Sequence, residues 1–209
     1  AVIEGAILCA PGRLGRVGIL GVLVCVTYIG IGVLVPLFPF FATRIGVPPE
    51  AVTTAMAVVA IGQLVSTPFW GWVSDRVGRK PVIILTLLGS GVAWLMLGWA
   101  ESIAMLMASR LVAGMMSGIT AVAFAAVADS VEGPERPAVM GRIGAALSLG
   151  FILGAALGGL LAGSGEHTDY RGIAVGVAAL DLGAAALAWV MFRETRSAAA
   201  RPAARHERR

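Results

Sequence analysis

Two ionisable side chains interrupt stretches that are otherwise apolar: Arg110, within Ile103 to Ala128, and Asp181, within Gly172 to Phe192. Arginine at such depth costs about 2.5–3.5 kcal/mol on the membrane-insertion scale, so it is expected to face a partner or a wet cavity. A carboxyl group removed from water is a candidate to take up and release a proton. Asp181 shares a helical face with Ala174, Ala178, Ala184, Ala185 and Ala188, which directs it toward packed helices and away from lipid. The two groups sit at similar depths, so three readings stay open. They serve a cavity or proton coupling, they pair with each other, or Arg110 reaches outward to Glu101. A second set of charges, Asp75 and Arg79 four residues apart and Asp129 at the end of another apolar run, suits an ionic cluster at a membrane surface.

Other chemistry finds little footing. Ser117 has no histidine in an apolar run to act as its base, and no P-loop spacing occurs, so neither nucleophilic catalysis nor ATP-driven transport is expected. His167, with Glu166 and Asp169 nearby, is too isolated to argue a metal site, and Cys9 and Cys25 are too few for a disulfide framework or a cysteine-rich metal centre. The expectation is a protein that is not an enzyme and needs no cofactor.

The elements that must hold these groups follow from composition. Of 209 residues, 58% are hydrophobic and 13% charged, 28 are glycine, and the mean hydropathy is +0.88. Such a chain cannot cover a water-facing globule with charge; ordinary soluble domains carry about 25% charged residues. Six runs are long enough to cross about 30 Å of hydrocarbon as helix. They are Val17 to Phe41, Ala51 to Trp72, Val82 to Trp99, Ile103 to Ala128, Ala138 to Ala162 and Gly172 to Phe192. Backbone polar groups in lipid must be satisfied within each segment, so each run is expected to be an α-helix, and the lipid bilayer becomes the first partner.

Basic residues set direction. Thirteen, from Arg13 and Arg16 through Arg76, Arg79, Lys80, Arg136 and Arg142 to the six arginines from Arg193 onward, fall on one side, and only Arg44 and Arg171 on the other. Because Lys and Arg in short loops stay in the cytoplasm, both termini are expected there. Residues 1–16 then form a cytoplasmic segment, 17–192 a six-helix bundle, and 193–209 an Arg-rich tail or the start of a central loop. That tail is read as facing anionic lipid, with no nucleic-acid partner. Position 1 is alanine and the tail ends in polar sequence, so a fragment, or half of something larger, is expected.

Three motifs add specificity. Between the second and third runs stand Gly71, Asp75, Arg76, Gly78, Arg79 and Lys80, with Pro81 opening the next helix. Gly71 is expected to let two helices approach, and Gly78 to permit positive φ in a tight reversal. The first run contains Gly32, Pro36 and Pro39; the fifth contains Gly141, Gly150, Gly154, Gly158 and Gly159, with small residues four apart suited to close helix packing. Gly114 follows Arg110 by four.

The loop spacing resembles the G-x-x-x-D-R-x-G-R-K/R motif of the major facilitator superfamily, and the likeness extends from Arg16 to about Arg196. Gly32, Pro36 and Pro39 match G-x-x-x-P-x-x-P of its twelve-helix drug exporters. Arg110 and Gly114 match R-x-x-x-G, whose arginine the family links to proton coupling and the central cavity. The fifth-run glycines follow the antiport motif except that Ala155 occupies its proline position. The resemblance implies an all-α membrane fold, the N-terminal six-helix half of a transporter, built as a 3+3 inverted repeat. It implies alternating-access transport of a small molecule, proton-coupled efflux of a drug-like compound, in a bacterial inner membrane. The missing C-terminal half or a second copy would be a partner, with protons as coupling ion. A metabolite or sugar symporter or uniporter, and a non-transporting scaffold or channel subunit, are the alternatives. Asp75, Arg79 and Asp129 are expected to hold one conformation closed on the inside.

Overall fold

The computed structural model describes residues 13–44, 46, 48–131, 133–162 and 168–192. The expectations for residues 1–12 and 193–209, and for Glu166 and His167, lie outside the described residues, as do the side chains of Arg13, Arg16 and Arg44.

Among the described residues, seven α-helices and one short 3-10 turn form six spans. They are α1 (Arg13–Arg44), α2 (Pro49–Val77), α3 (Arg79–Gly98), α4 (Ile103–Met115), α5 (Ile119–Ser130), the 3-10 turn Gly133–Glu135, α6 (Arg136–Ala162) and α7 (Tyr170–Met191). Six spans are long and apolar enough to cross a membrane, with α4 and α5 together making the fourth. The helices overrun the apolar runs because charged and polar residues can remain helical once they reach the interface.

Local chemistry sets the ends. Pro48 and Pro49 open α2, with Glu50 in its first turn, where a carboxylate complements the helix dipole. Ser102 caps α4 by accepting from the Met105 N–H at 3.3 Å, and Asp169 caps α7 by accepting from Gly172 at 2.9 Å. α2 continues through Gly71 to Val77, so the expected loop motif is mostly helix and its reversal shrinks to Gly78 alone, at φ 112°. That backbone angle suits glycine and little else.

The fourth span departs from a continuous helix. It breaks at Met116–Gly118, and side chains of α2 take up the freed carbonyls. Ser66 Oγ donates to Gly114 O at 2.8 Å, and Trp70 Nε1 to Met115 O at 2.6 Å. Ser117 Oγ donates to the same Gly114 oxygen. A break inside an apolar span is tolerable because neighbouring protein satisfies the backbone.

The closest helix pairings are α1 with α6, α3 with α7, and α2 with α4. In span numbers these are 1 with 5, 3 with 6, and 2 with 4. Exchanging the first three spans for the last three turns the first pairing into the third and leaves the second unchanged, the pattern of a 3+3 repeat. Small residues make the α1–α6 approach: a Cβ at Gly150, Gly154 or Gly158 would run into the carbonyls of Cys25, Ile29 and Val33, and one at Gly32 into Phe151 O. In lipid, such van der Waals contact replaces the hydrophobic drive between helices.

Three glycines do not do what was expected of them. A Cβ at Gly71, Gly141 or Gly159 would meet nothing within 4 Å. For the last two the reason is rotational: Gly141 lies nine residues before Gly150, about 180° round the helix, and Gly159 sits about 100° from Gly158. Gly71 simply faces open space in this six-helix body.

A site built on spans one to four

At the end of the bundle where α2 meets α3, Arg79 is 4% exposed and serves as a hub. Its Nη2 lies 2.7 Å from Asp75 Oδ1 and 2.8 Å from Asp129 Oδ2, and its Nε donates to the same Asp129 oxygen at 3.1 Å. Nη1 donates to the hydroxyl of buried Ser74, which in turn donates to Gly71 O. Local sequence requires this arrangement. Arg79 and Lys80 open α3 with no acidic residue in its first turn, so cations sit at the positive end of the helix dipole. The two carboxylates offset that penalty, one contributed by the end of α2 and one by the end of α5. The cluster therefore ties the second, third and fourth spans at one end. Arg76 stacks over Trp72, 3.8 Å from the ring centroid, and Lys80 donates to Trp189 O on α7.

Arg110 is equally buried, at 3% exposure, but its surroundings are different. Its guanidinium sits over the rings of Phe38 and Trp94, 5.8 and 6.0 Å from their centroids, and Nε has no hydrogen-bond partner. It lines a cleft of about 170 Å³ formed by α1, α2, α3 and the fourth span. Thr27, Gln63, Thr86, Ser90 and Ser117 also line it, among apolar residues including Ile31, Leu34, Met56, Val59, Trp94 and Met116. Drug-sized pockets run to about 300–1,000 Å³, so this cleft has the dimensions of one wall of such a site. A wider groove of about 450 Å³ between α1, α6 and α7, lined by residues such as Leu157, Leu161 and Leu180, carries little polar chemistry.

Neither proposed partner joins Arg110. Glu101 pairs with Arg171 at 3.0 Å, with both side chains more than half exposed. Asp181 is 1% exposed, faces α3 at Gly91, and has Ser90 as its hydrogen-bonding neighbour, while its Oδ2 is unpartnered. Among the described residues no ion pair joins it to Arg110; equal depth did not specify azimuth. The alanine face that carries Asp181 is buried as its spacing requires. Ser90 touches both environments, because it also lines the cleft.

The remaining motif residues are dispersed. Gly114 packs on Val59 and Gly62 of α2 and lends its carbonyl to Ser66. Pro36 rests against Gly158, and Pro39 is exposed, in a helix that stays continuous past both. Thr27 faces the cleft but donates to Leu23 O, and Tyr28 OH lies 3.3 Å from Thr120 Oγ1. Sequence reasoning overlooked Gln63, Ser66, Trp70, Ser90 and Trp94. The signal for two of them was present: Gln63 and Ser66, three apart, put polar groups on one face of an apolar run. Among the described residues no group of His, Cys, Asp and Glu could hold a metal.

A six-helix membrane body with a cleft on its first four spans, and an ionic hub at one end of that cleft, belongs to the class of helical transporters. The profile of the family described as Major Facilitator Superfamily matches residues 20–209, and the chain belongs to that family of membrane transporters. Multidrug resistance protein 2 of Bacillus subtilis (strain 168) is 35% identical over 146 residues, 69% of this chain and 36% of that protein. Tetracycline resistance protein, class H, of Pasteurella multocida is 30% identical over 171 residues, covering 80% and 42% of the two chains. Among solved structures, the human organic anion transporter MFSD10 (TETRAN) matches with a TM-score of 0.72 at 27% identity, over 90% of this chain and 49% of that one. The chain thus spans about half the length of the proteins it matches, and it has the fold of one six-helix half.

Proposed function

We propose that the chain supplies one half of an alternating-access exporter that couples proton entry to efflux of a drug-like compound. Resistance proteins for tetracycline and multiple drugs are among its relatives. The observation that carries the reading is the pairing of a cleft on spans one to four with the Arg79 hub at one end of it. Alternating access needs two global states that substrate and proton bind differently, and a hub that is intact in one state and broken in the other provides the bistable element. On this reading the hub faces the cytoplasm of a bacterial inner membrane, both termini lie on that side, and Asp75–Arg79–Asp129 holds the cytoplasmic end closed. Asp181 carries the proton, with Ser90 between it and the cleft, and Arg110 senses the change. A C-terminal six-helix half, or a second copy, supplies the opposite wall.

Inside-out vesicles prepared from membranes containing the native-length protein test this. Adding tetracycline outside vesicles with an acidic lumen should raise luminal pH, because drug enters as protons leave. Luminal acidification would instead identify a symporter, a reading that Ala155 in place of the antiport-motif proline favours. No proton movement with any drug tried, in vesicles that hold their gradient, would leave a uniporter or a non-transporting scaffold.

A further inference from the structure

We infer that the cleft seats the anionic group of an amphiphilic organic anion on Arg110. The inference rests on the transporter reading above and specifies the charge of its substrate. Arg110 is buried, aimed into the cleft and held by two aromatic rings, with no carboxylate paired to it among the described residues. Among the described residues no Asp or Glu lines the cleft. A buried guanidinium that the protein itself leaves uncompensated is costly, and an anion arriving from outside relieves that cost by a charge-assisted, two-pronged contact.

The donor inventory narrows the choice further. Thr27, Thr86 and Ser117 line the cleft, yet each already donates its hydroxyl hydrogen to a backbone carbonyl of its own span. Their oxygens are left as acceptors, which cannot hold a carboxylate. Ser90 is engaged with Asp181, so the Gln63 amide, the Trp94 indole N–H and the Arg110 guanidinium remain as donors among the described residues. A planar apolar body would lie against Trp94 and Met116, which line the same cleft. The complementary ligand is therefore an aromatic carboxylate or sulfonate.

Three probes of one shape separate charge from size: radiolabelled 1-naphthoate, 1-naphthamide and 1-naphthylmethylammonium. Binding is measured by scintillation proximity on the native-length protein in nanodiscs, with empty nanodiscs subtracted. The carboxylate should bind about tenfold or more tighter than the amide, a difference of one charge-assisted contact, and the ammonium weakest. Arg110→Gln should abolish the preference and Arg110→Lys should retain part of it. Equal binding of all three probes, tighter binding of the ammonium, or no saturable binding of the carboxylate overturns the inference on unaltered protein, whether or not the variants fold. A preference that survives Arg110→Gln overturns it too. The transporter reading fails separately: vesicles that move the ammonium keep transport and reject the anion, whereas Arg110-dependent carboxylate binding without any flux keeps the anion and rejects transport.

Discussion

Arg79 and Arg110 are nearly equal in burial, at 4% and 3% exposure, and opposite in company. Arg79 is met by two carboxylates and a serine; Arg110 by two aromatic rings and a cleft. Burial alone therefore says little about what a charge is for. A guanidinium whose valences are filled by the protein joins helices to one another, and its loss leaves two acids crowded together. One whose valences are left open is held ready for something the fold does not contain. On the function proposed above, the first would belong to the conformational machinery of the transporter and the second to its substrate or coupling chemistry.

The contrast can be broken by stability measurements. Arg79→Met should have the largest effect, about 3 kcal/mol of destabilisation in detergent, because it removes a buried hub and leaves Asp75 and Asp129 facing each other. Asp129→Asn should follow at about 1–2 kcal/mol, more than Asp75→Asn, since Asp129 accepts from both Nε and Nη2 while Asp75 meets Nη2 alone. Both carboxylates are partly exposed, which keeps these figures below those of a fully buried pair. Arg110→Met should act in the other direction, leaving stability unchanged or raising it by about 1 kcal/mol, as removal of an uncompensated buried charge does. Thermal unfolding of the four variants checks the order, and a destabilised Arg110→Met would erase the distinction. Glu101→Gln, which breaks the exposed pair with Arg171, should change stability by less than about 0.5 kcal/mol.

Hydropathy made the six spans legible, because lipid allows few alternatives to helix. The hub was legible as well: Asp75 and Arg79 sit one helical turn apart, and Asp129 closes a run on the same side of the membrane. What resisted reading was rotation about a helix axis. Gly150, Gly154 and Gly158 repeat every four residues and so share a face, yet Gly141 and Gly159 belong to the same motif and point elsewhere. Asp181 could be assigned a buried face but no partner, and Arg110 a depth but no direction, so depth alone suggested an ion pair between them that did not form. The break at Met116–Gly118 was marked only by the Ser117–Gly118 pair, with no proline, and Ser66 and Trp70 of another helix satisfy the exposed carbonyls.

Access to the cleft from each side of the membrane tests the central claim most directly. In native-length protein with Cys9, Cys25 and any cysteine outside these 209 residues replaced by Ser, Ser117→Cys is placed on the cleft wall and its labelling by a membrane-impermeant maleimide is followed in right-side-out and inside-out vesicles, with Arg79 intact and as Arg79→Met. With the hub intact, labelling should come from the outside; breaking the hub should move it to the cytoplasmic side. Labelling from the same side at the same rate in both proteins would contradict a hub that controls alternating access.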